Sequence, residues 1–196
     1  MKSPAYATLA ACVALSASNI AVAKMTTASA TAVQAPVVTS NITEAEVLAA
    51  QQAWGKALVQ IATDYDQGGF TKAKATAEAV LDAAYGYNMG AVLFKPTLTI
   101  APQTFRPTRE GALAYFVGGN PNFPNDKGFA LKGWRSYHVE NLALQLHGNT
   151  AISMGRVSIT DKAGKTTTVD KTWGFVRDGQ GALRIMLHHS SLPYQP

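Results

Sequence analysis

Three turn signals, His147-Gly148-Asn149, Asp161-Lys162-Ala163-Gly164 and Asp178-Gly179-Gln180-Gly181, cut the C-terminal part of this chain into short runs rich in β-branched and aromatic residues. Glycine, asparagine and aspartate tolerate the backbone angles of tight hairpin turns, so this spacing reads as consecutive antiparallel hairpins from Phe129 onward. A long helix is excluded there.

Upstream the pattern changes to helical period. Thr43 and Glu46 have capping-box spacing: the hydroxyl can accept from the amide of Glu46 while the carboxylate reaches back to that of Thr43. Val47, Trp54, Leu58, Ile61 and Tyr65 then share one helical face, and the helix is expected to stop at Gly68-Gly69. A second helix is expected over 71–85, with Ala77, Val80, Leu81 and Ala84 as its apolar stripe and Gly86 as its end. Pro96, Pro102 and Pro107 forbid a long helix between residues 91 and 107, which reads as strand, irregular turn, strand. Thr108 can cap a short helix closed by Gly118-Gly119, and residues 120–128 read as a loop. Helices first and a meandering sheet afterwards indicate a single α+β domain over 42–196, a curved antiparallel sheet folded around the helices.

The first 41 residues do not fit that domain. Lys2, the small and apolar run from Ala7 to Val22, and Ala21-Val22-Ala23 form a secretory signal with cleavage expected after Ala23. Residues 24–41, rich in Thr, Ala, Ser and Val, read as a flexible leader. The expected localisation is periplasmic or secreted, with no membrane contact after cleavage, because Ser16, Ser18 and Asn19 interrupt the apolar run. Cleavage would remove Cys12, the sole cysteine, and with it any disulfide, thiolate nucleophile or cysteine-ligated metal. The formal charge of +5 is spread over single lysines and arginines, which leaves no nucleic-acid footprint.

Candidate chemistry concentrates in Leu183-Arg184-Ile185-Met186-Leu187-His188-His189-Ser190-Ser191. On a strand, adjacent histidines point to opposite faces. Strict alternation groups His189 and Ser191 with Leu183, Ile185 and Leu187, and Ser190 with Met186 and His188, and either set can face a pocket. The tracts Phe94-Lys95-Pro96-Thr97 and Phe105-Arg106-Pro107-Thr108 each set a hydroxyl beside a rigid turn. Tyr115 lies on the short helix, where a buried phenol needs a partner. Trp134 and Trp173 fall on strands and read as core or interface. Asp126, Glu140 and Asp170 are isolated, so neither a paired acid and base nor a metal cluster is indicated.

Taken together, Val92-Leu93-Phe94-Lys95-Pro96-Thr97, Phe105-Arg106-Pro107-Thr108, Ala114-Tyr115-Phe116-Val117-Gly118-Gly119, Asp126-Lys127-Gly128-Phe129-Ala130-Leu131 and His188-His189-Ser190-Ser191-Leu192-Pro193-Tyr194 resemble the iota class of carbonic anhydrases. That class is similar to the association domain of the calcium/calmodulin-dependent kinase and to the cone-shaped fold of nuclear transport factor two. The resemblance implies reversible hydration of carbon dioxide to bicarbonate by a hydroxyl cluster of Thr97, Tyr115 and Ser190 in an apolar pocket. It leaves Ser191 as the fallback serine and His188 or His189 as the proton relay. It leaves metal use open, zinc or manganese included, while the missing ligand spacing favours no cofactor, and it implies a homodimer formed through the sheet. The competing reading is a non-catalytic module of the same fold that binds a small ligand or drives oligomerisation. What separates the two is whether the three hydroxyls converge.

Overall fold

The structure, a computed structural model, describes residues 41–196; the expected signal peptide and leader lie outside the described residues, apart from Asn41. Helix α1 spans Glu44–Ala84, and its start is the expected capping box: Thr43 N donates to Glu46 Oε2 at 2.8 Å and Glu46 N to Thr43 Oγ1 at 3.3 Å. Such a cap is worth about 1 kcal/mol.

The two expected helices are both present within this range and meet at a sharp kink in the Gly68-Gly69 pair. Gly69 sits at φ 69°, ψ −165°, a conformation open to glycine, and the helix resumes immediately beyond it. Asp64 explains why the two halves stay joined. This buried carboxylate accepts from Gln60 Nε2 at 2.9 Å on its own side of the kink and from Thr76 Oγ1 at 2.7 Å beyond it. Lys72 Nζ adds an ion pair at 3.0 Å. Trp54, Leu58 and Ile61 before the kink and Ala73, Ala77 and Leu81 after it all reach the core, whereas Tyr65, expected on the same face, is largely exposed.

Strand β1 (Leu93–Lys95) follows; the second strand expected near Phe105 does not form, and residues 96–107 are irregular. Helix α2 (Arg109–Val117) is capped by Thr108, whose Oγ1 accepts from Gly111 N at 3.2 Å. Phe129–Leu131, expected to open a strand, form a 3₁₀ turn instead, closed by Leu131 N donating to Gly128 O and pinned by Trp134 Nε1 donating to Phe129 O at 2.8 Å. Four long strands complete the chain: β2 (Trp134–His147), β3 (Thr150–Asp161), β4 (Thr166–Arg177) and β5 (Leu183–Ser191). Each of the three turn signals joins an antiparallel hairpin.

The sheet order is β1-β5-β4-β3-β2, and β1 pairs parallel to β5, so the sheet is mixed. This α+β arrangement matches the expected fold class. The core fills the space between the inner face of the sheet and the two helices and includes Trp134 and Trp173, at 5% and 1% exposure. Among the described residues no helix is long and apolar enough to cross a membrane.

Candidate active site

Which face of β5 looks inward is decided by a bulge. Gly174 pairs with Leu187 and Phe175 with Ile185, so Met186 is an extra residue with no partner on β4. An extra residue reverses the alternation beyond it. Ile185 is therefore buried before the bulge, and His188 and Ser190 are buried after it. Gly174 permits the distortion, since a Cβ there would stand 2.9 Å from that of Leu187. His189 and Ser191 fall on the opposite face, where they line an outer groove with Leu142, Met154 and Thr172. That corrects the expectation for both residues: neither reaches the inner cavity, because strand parity turns them away from it.

The inner cavity is walled by Trp54, Phe94, Phe116, Phe129, Val157 and Ile159, and its polar lining is Thr97, Tyr115, Lys171, His188 and Ser190. Its free volume is about 10 Å³, room for about one water. The parallel pairing of Phe94 with His188 and Lys95 with His189 sets the direction in which the chain leaves β1. Lys95 Nζ fastens that exit by donating to Ser190 O at 3.2 Å, and two residues later Thr97 Oγ1 meets Ser190 Oγ at 2.5 Å. The loop carrying Thr97 is anchored at its far end by Arg106, which makes a bidentate pair with Asp126 at 2.8 Å with both side chains almost fully buried. Breaking a buried pair of this kind by removing one partner costs about 3–5 kcal/mol.

Tyr115 comes from α2. Its ring stacks on Phe129 with centroids 5.3 Å apart and meets Phe94 edge-on at 5.7 Å. Burial pushes its phenol above the ordinary value, and the backbone amides of Leu98 and Thr97 oppose the shift in part. It is a hydrogen-bonding group at neutral pH, not a base.

Behind the hydroxyls lies a chain of buried polar groups. Trp54 Nε1 donates to Tyr85 Oη at 3.0 Å, Tyr85 Oη lies 2.8 Å from His188 Nδ1, and His188 Nε2 lies 2.6 Å from Lys171 Nζ. Tyr85 reaches this position because the end of α1 docks on the bulge: Gly86 N donates to Ile185 O at 3.0 Å. The His188 ring is sandwiched between Phe94 at 4.4 Å and Trp173 at 4.7 Å. Lys171 Nζ stands over the rings of Trp54 and Trp173 at 4.6 and 5.1 Å. Burial, then the neighbouring charges of Lys171 and His189, hold His188 well below the usual histidine range, and burial alone pushes Lys171 down to about 7.

Thus Thr97, Tyr115, Ser190 and His188 come together, while His189 and Ser191 do not. The sequence reading missed Lys171, Tyr85 and Trp54. Lys171 left a trace: it stands two residues from Val169 and two from Trp173, both apolar and both buried, so strand parity points it inward. Among the described residues, no three histidine, cysteine, aspartate or glutamate side chains are grouped to hold a metal ion.

Comparison with known proteins bears directly on this arrangement. The sequence profile of the family described as metal-independent carbonic anhydrase matches residues 45–192. A metal-independent carbonic anhydrase of Nostoc sp. (strain PCC 7120) is 63% identical over 160 residues, 82% of this chain and 78% of that protein. The crystal structure of a cyanobacterial iota-carbonic anhydrase complexed with bicarbonate superimposes with a TM-score of 0.82 at 62% identity, covering 83% of this chain and 99% of that one. A putative calcium/calmodulin-dependent protein kinase II association domain from Xanthomonas campestris shares the fold, with a TM-score of 0.51 at 22% identity over 79% of this chain and 91% of its own. With a profile match across nearly the whole described domain and a relative at this level of identity, the chain belongs to the metal-independent carbonic anhydrase family.

Proposed function

We propose that the chain catalyses the reversible hydration of carbon dioxide to bicarbonate in the inner cavity, with Thr97, Tyr115 and Ser190 as the catalytic hydroxyls. The observation that carries this reading is the convergence of three hydroxyls from three separate segments on one aromatic-walled cavity, two of them 2.5 Å apart. Apolar walls suit carbon dioxide, which has no charge to solvate. Fixed hydroxyls suit the anion that forms from it, because donors already in place need no reorganisation as charge develops on oxygen. The same groups orient the attacking water toward the carbon. The solved relative bound to bicarbonate supports this substrate. The competing reading, a module that binds a small apolar ligand, needs only an apolar cavity and does not account for three hydroxyls lining it. Stopped-flow hydration of carbon dioxide by chelator-treated protein tests the reading: full activity is expected, and none above the buffer rate would refute it.

Two further proposals accompany it. The chain forms a homodimer through the outer face of the sheet, where Leu142, Ile152 and Met154 are 84%, 49% and 55% exposed. Trp134 and Trp173 were expected to contribute to that interface, but both are consumed by the core. Glu140 and Asp170 face the same groove as Arg156, so the face carries both signs and can complement a second copy of itself. The chain is also exported, with Lys24 as the mature N-terminus, which mass spectrometry of the secreted or periplasmic protein would reveal.

A further inference from the structure

Hydration of carbon dioxide releases a proton, and none of the three hydroxyls is a base near neutral pH. Hydrogen-bond accounting in the buried chain behind them identifies one. Trp54 Nε1 can only donate, so Tyr85 Oη accepts there and turns its single proton toward His188 Nδ1. His188 then carries its proton on Nε2, aimed at Lys171 Nζ 2.6 Å away. A nitrogen that accepts from Nε2–H is an amine with a lone pair, not an ammonium. The opposite orientation would leave the Tyr85 hydroxyl proton without an acceptor in an aromatic core, at a cost of about 1–3 kcal/mol.

We propose that Lys171 is the proton acceptor of the reaction, a catalytic residue beyond the hydroxyl cluster; the inference rests on the carbonic anhydrase reading. Lys171 is the strand partner of Ser190 across β4 and β5, and both side chains line the cavity that Thr97 and Tyr115 complete. In the step, the water oxygen forms a bond to the carbon of carbon dioxide and a C–O π pair moves onto oxygen. The water O–H breaks, and its proton passes, directly or through the Ser190 hydroxyl that gives up one proton as it gains another, to the single lone pair of Lys171, which turns from His188 Nε2–H to receive it. Bicarbonate leaves, and the ammonium returns its proton to buffer. No electron transfer is involved and no co-reactant is needed.

Burial disfavours that ammonium, against a partial offset from the ring faces of Trp54 and Trp173. Among the described residues Lys171 forms no ion pair. The titratable groups facing it are His188 from β5, Tyr85 at the end of α1, and Tyr115 from α2. Trp54 from α1, Phe94 from β1, and Val157 and Ile159 from β3 complete its surroundings without charge. Depression to about 7 agrees with this environment and lies where a general base works best.

The test pairs kinetics with direct titration. In wild-type protein kcat/KM for hydration should rise through about pH 7, and that for bicarbonate dehydration should fall through the same range, because the reverse reaction needs the ammonium. NMR titration of lysine labelled with carbon-13 at Cε should show one lysine with that same midpoint, absent from Lys171→Met. Lys171→Met should lose the inflection and about 10²-fold in rate. A Lys171→Met enzyme with the wild-type rate and inflection would overturn the proposal while leaving the hydroxyl reading intact. So would a wild-type spectrum with every lysine titrating near 10, which decides the matter even if the variant fails to fold. A wild-type protein with no hydration activity at any pH would remove both.

Discussion

The two faces of β4 and β5 share serine and histidine yet meet opposite surroundings. Lys171, His188 and Ser190 point inward; Asp170, Thr172, His189 and Ser191 point outward. His188 and His189 are chemically identical neighbours, yet one is clamped between aromatic rings and held well below the histidine range while the other is exposed. Residue type alone therefore carries little functional information here. Parity along the strand, and the solvent exposure that follows from it, decide whether a serine or histidine faces the cavity or the solvent.

Paired substitutions across that divide sharpen the contrast. Ser190→Ala and Tyr115→Phe should each lower the hydration rate by about 10²–10³, the usual penalty for losing a fixed donor to developing charge, with the fold retained by circular dichroism. Ser191→Ala should stay within about twofold of wild type; equal losses at Ser190 and Ser191 would erase the distinction between the faces. His188→Ala should cost about 3 kcal/mol in denaturant unfolding, because it opens a gap between two stacked rings and strands Tyr85 and Lys171.

Stability should also report the inner lysine through pH. The folded-state value of Lys171 is depressed to about 7 from 10.5, so between those limits the unfolded chain binds a proton that the native state does not. Native stability therefore rises with pH across that window, by up to about 1.4 kcal/mol per pH unit from this group, and the Lys171→Met variant should lack that slope. On the outer face, Met154→Asp should halve the mass seen by light scattering at micromolar concentration; a wild-type monomer under the same conditions would refute the dimer. His189→Ala, the smallest effect, should shift unfolding by no more than about 0.5 kcal/mol.

Much of the fold was legible because its signals are local. The Thr43 and Glu46 cap, the Thr108 cap and the three hairpin turns each depend on residues within a few positions of one another, and all formed as read. What stayed illegible involves partners far away or absent from local pattern. Gly68-Gly69 does break the helix as read, but that the second helix follows at once rests on the clasp of Asp64 by Thr76 and Lys72 across the kink, which is invisible to periodicity. The inward set on β5 stayed open because the bulge depends on β4, where Gly174 admits Leu187. Of the site, the hydroxyl residues were named from resemblance and His188 from its tract. Lys171 was passed over because a lone lysine ordinarily belongs to solvent, and only its placement between two buried neighbours says otherwise.

Beyond the Met186 bulge, the length of β5 is as consequential as its composition. Removing that one residue would only regularise the ladder and leave His188 and Ser190 inward, whereas inserting one residue between Leu187 and His188 would evert the strand's C-terminal end, presenting His189 and Ser191 to the cavity and exporting His188 and Ser190 to the outer groove. Such an insertion would keep every side chain of the candidate site and lose the site itself.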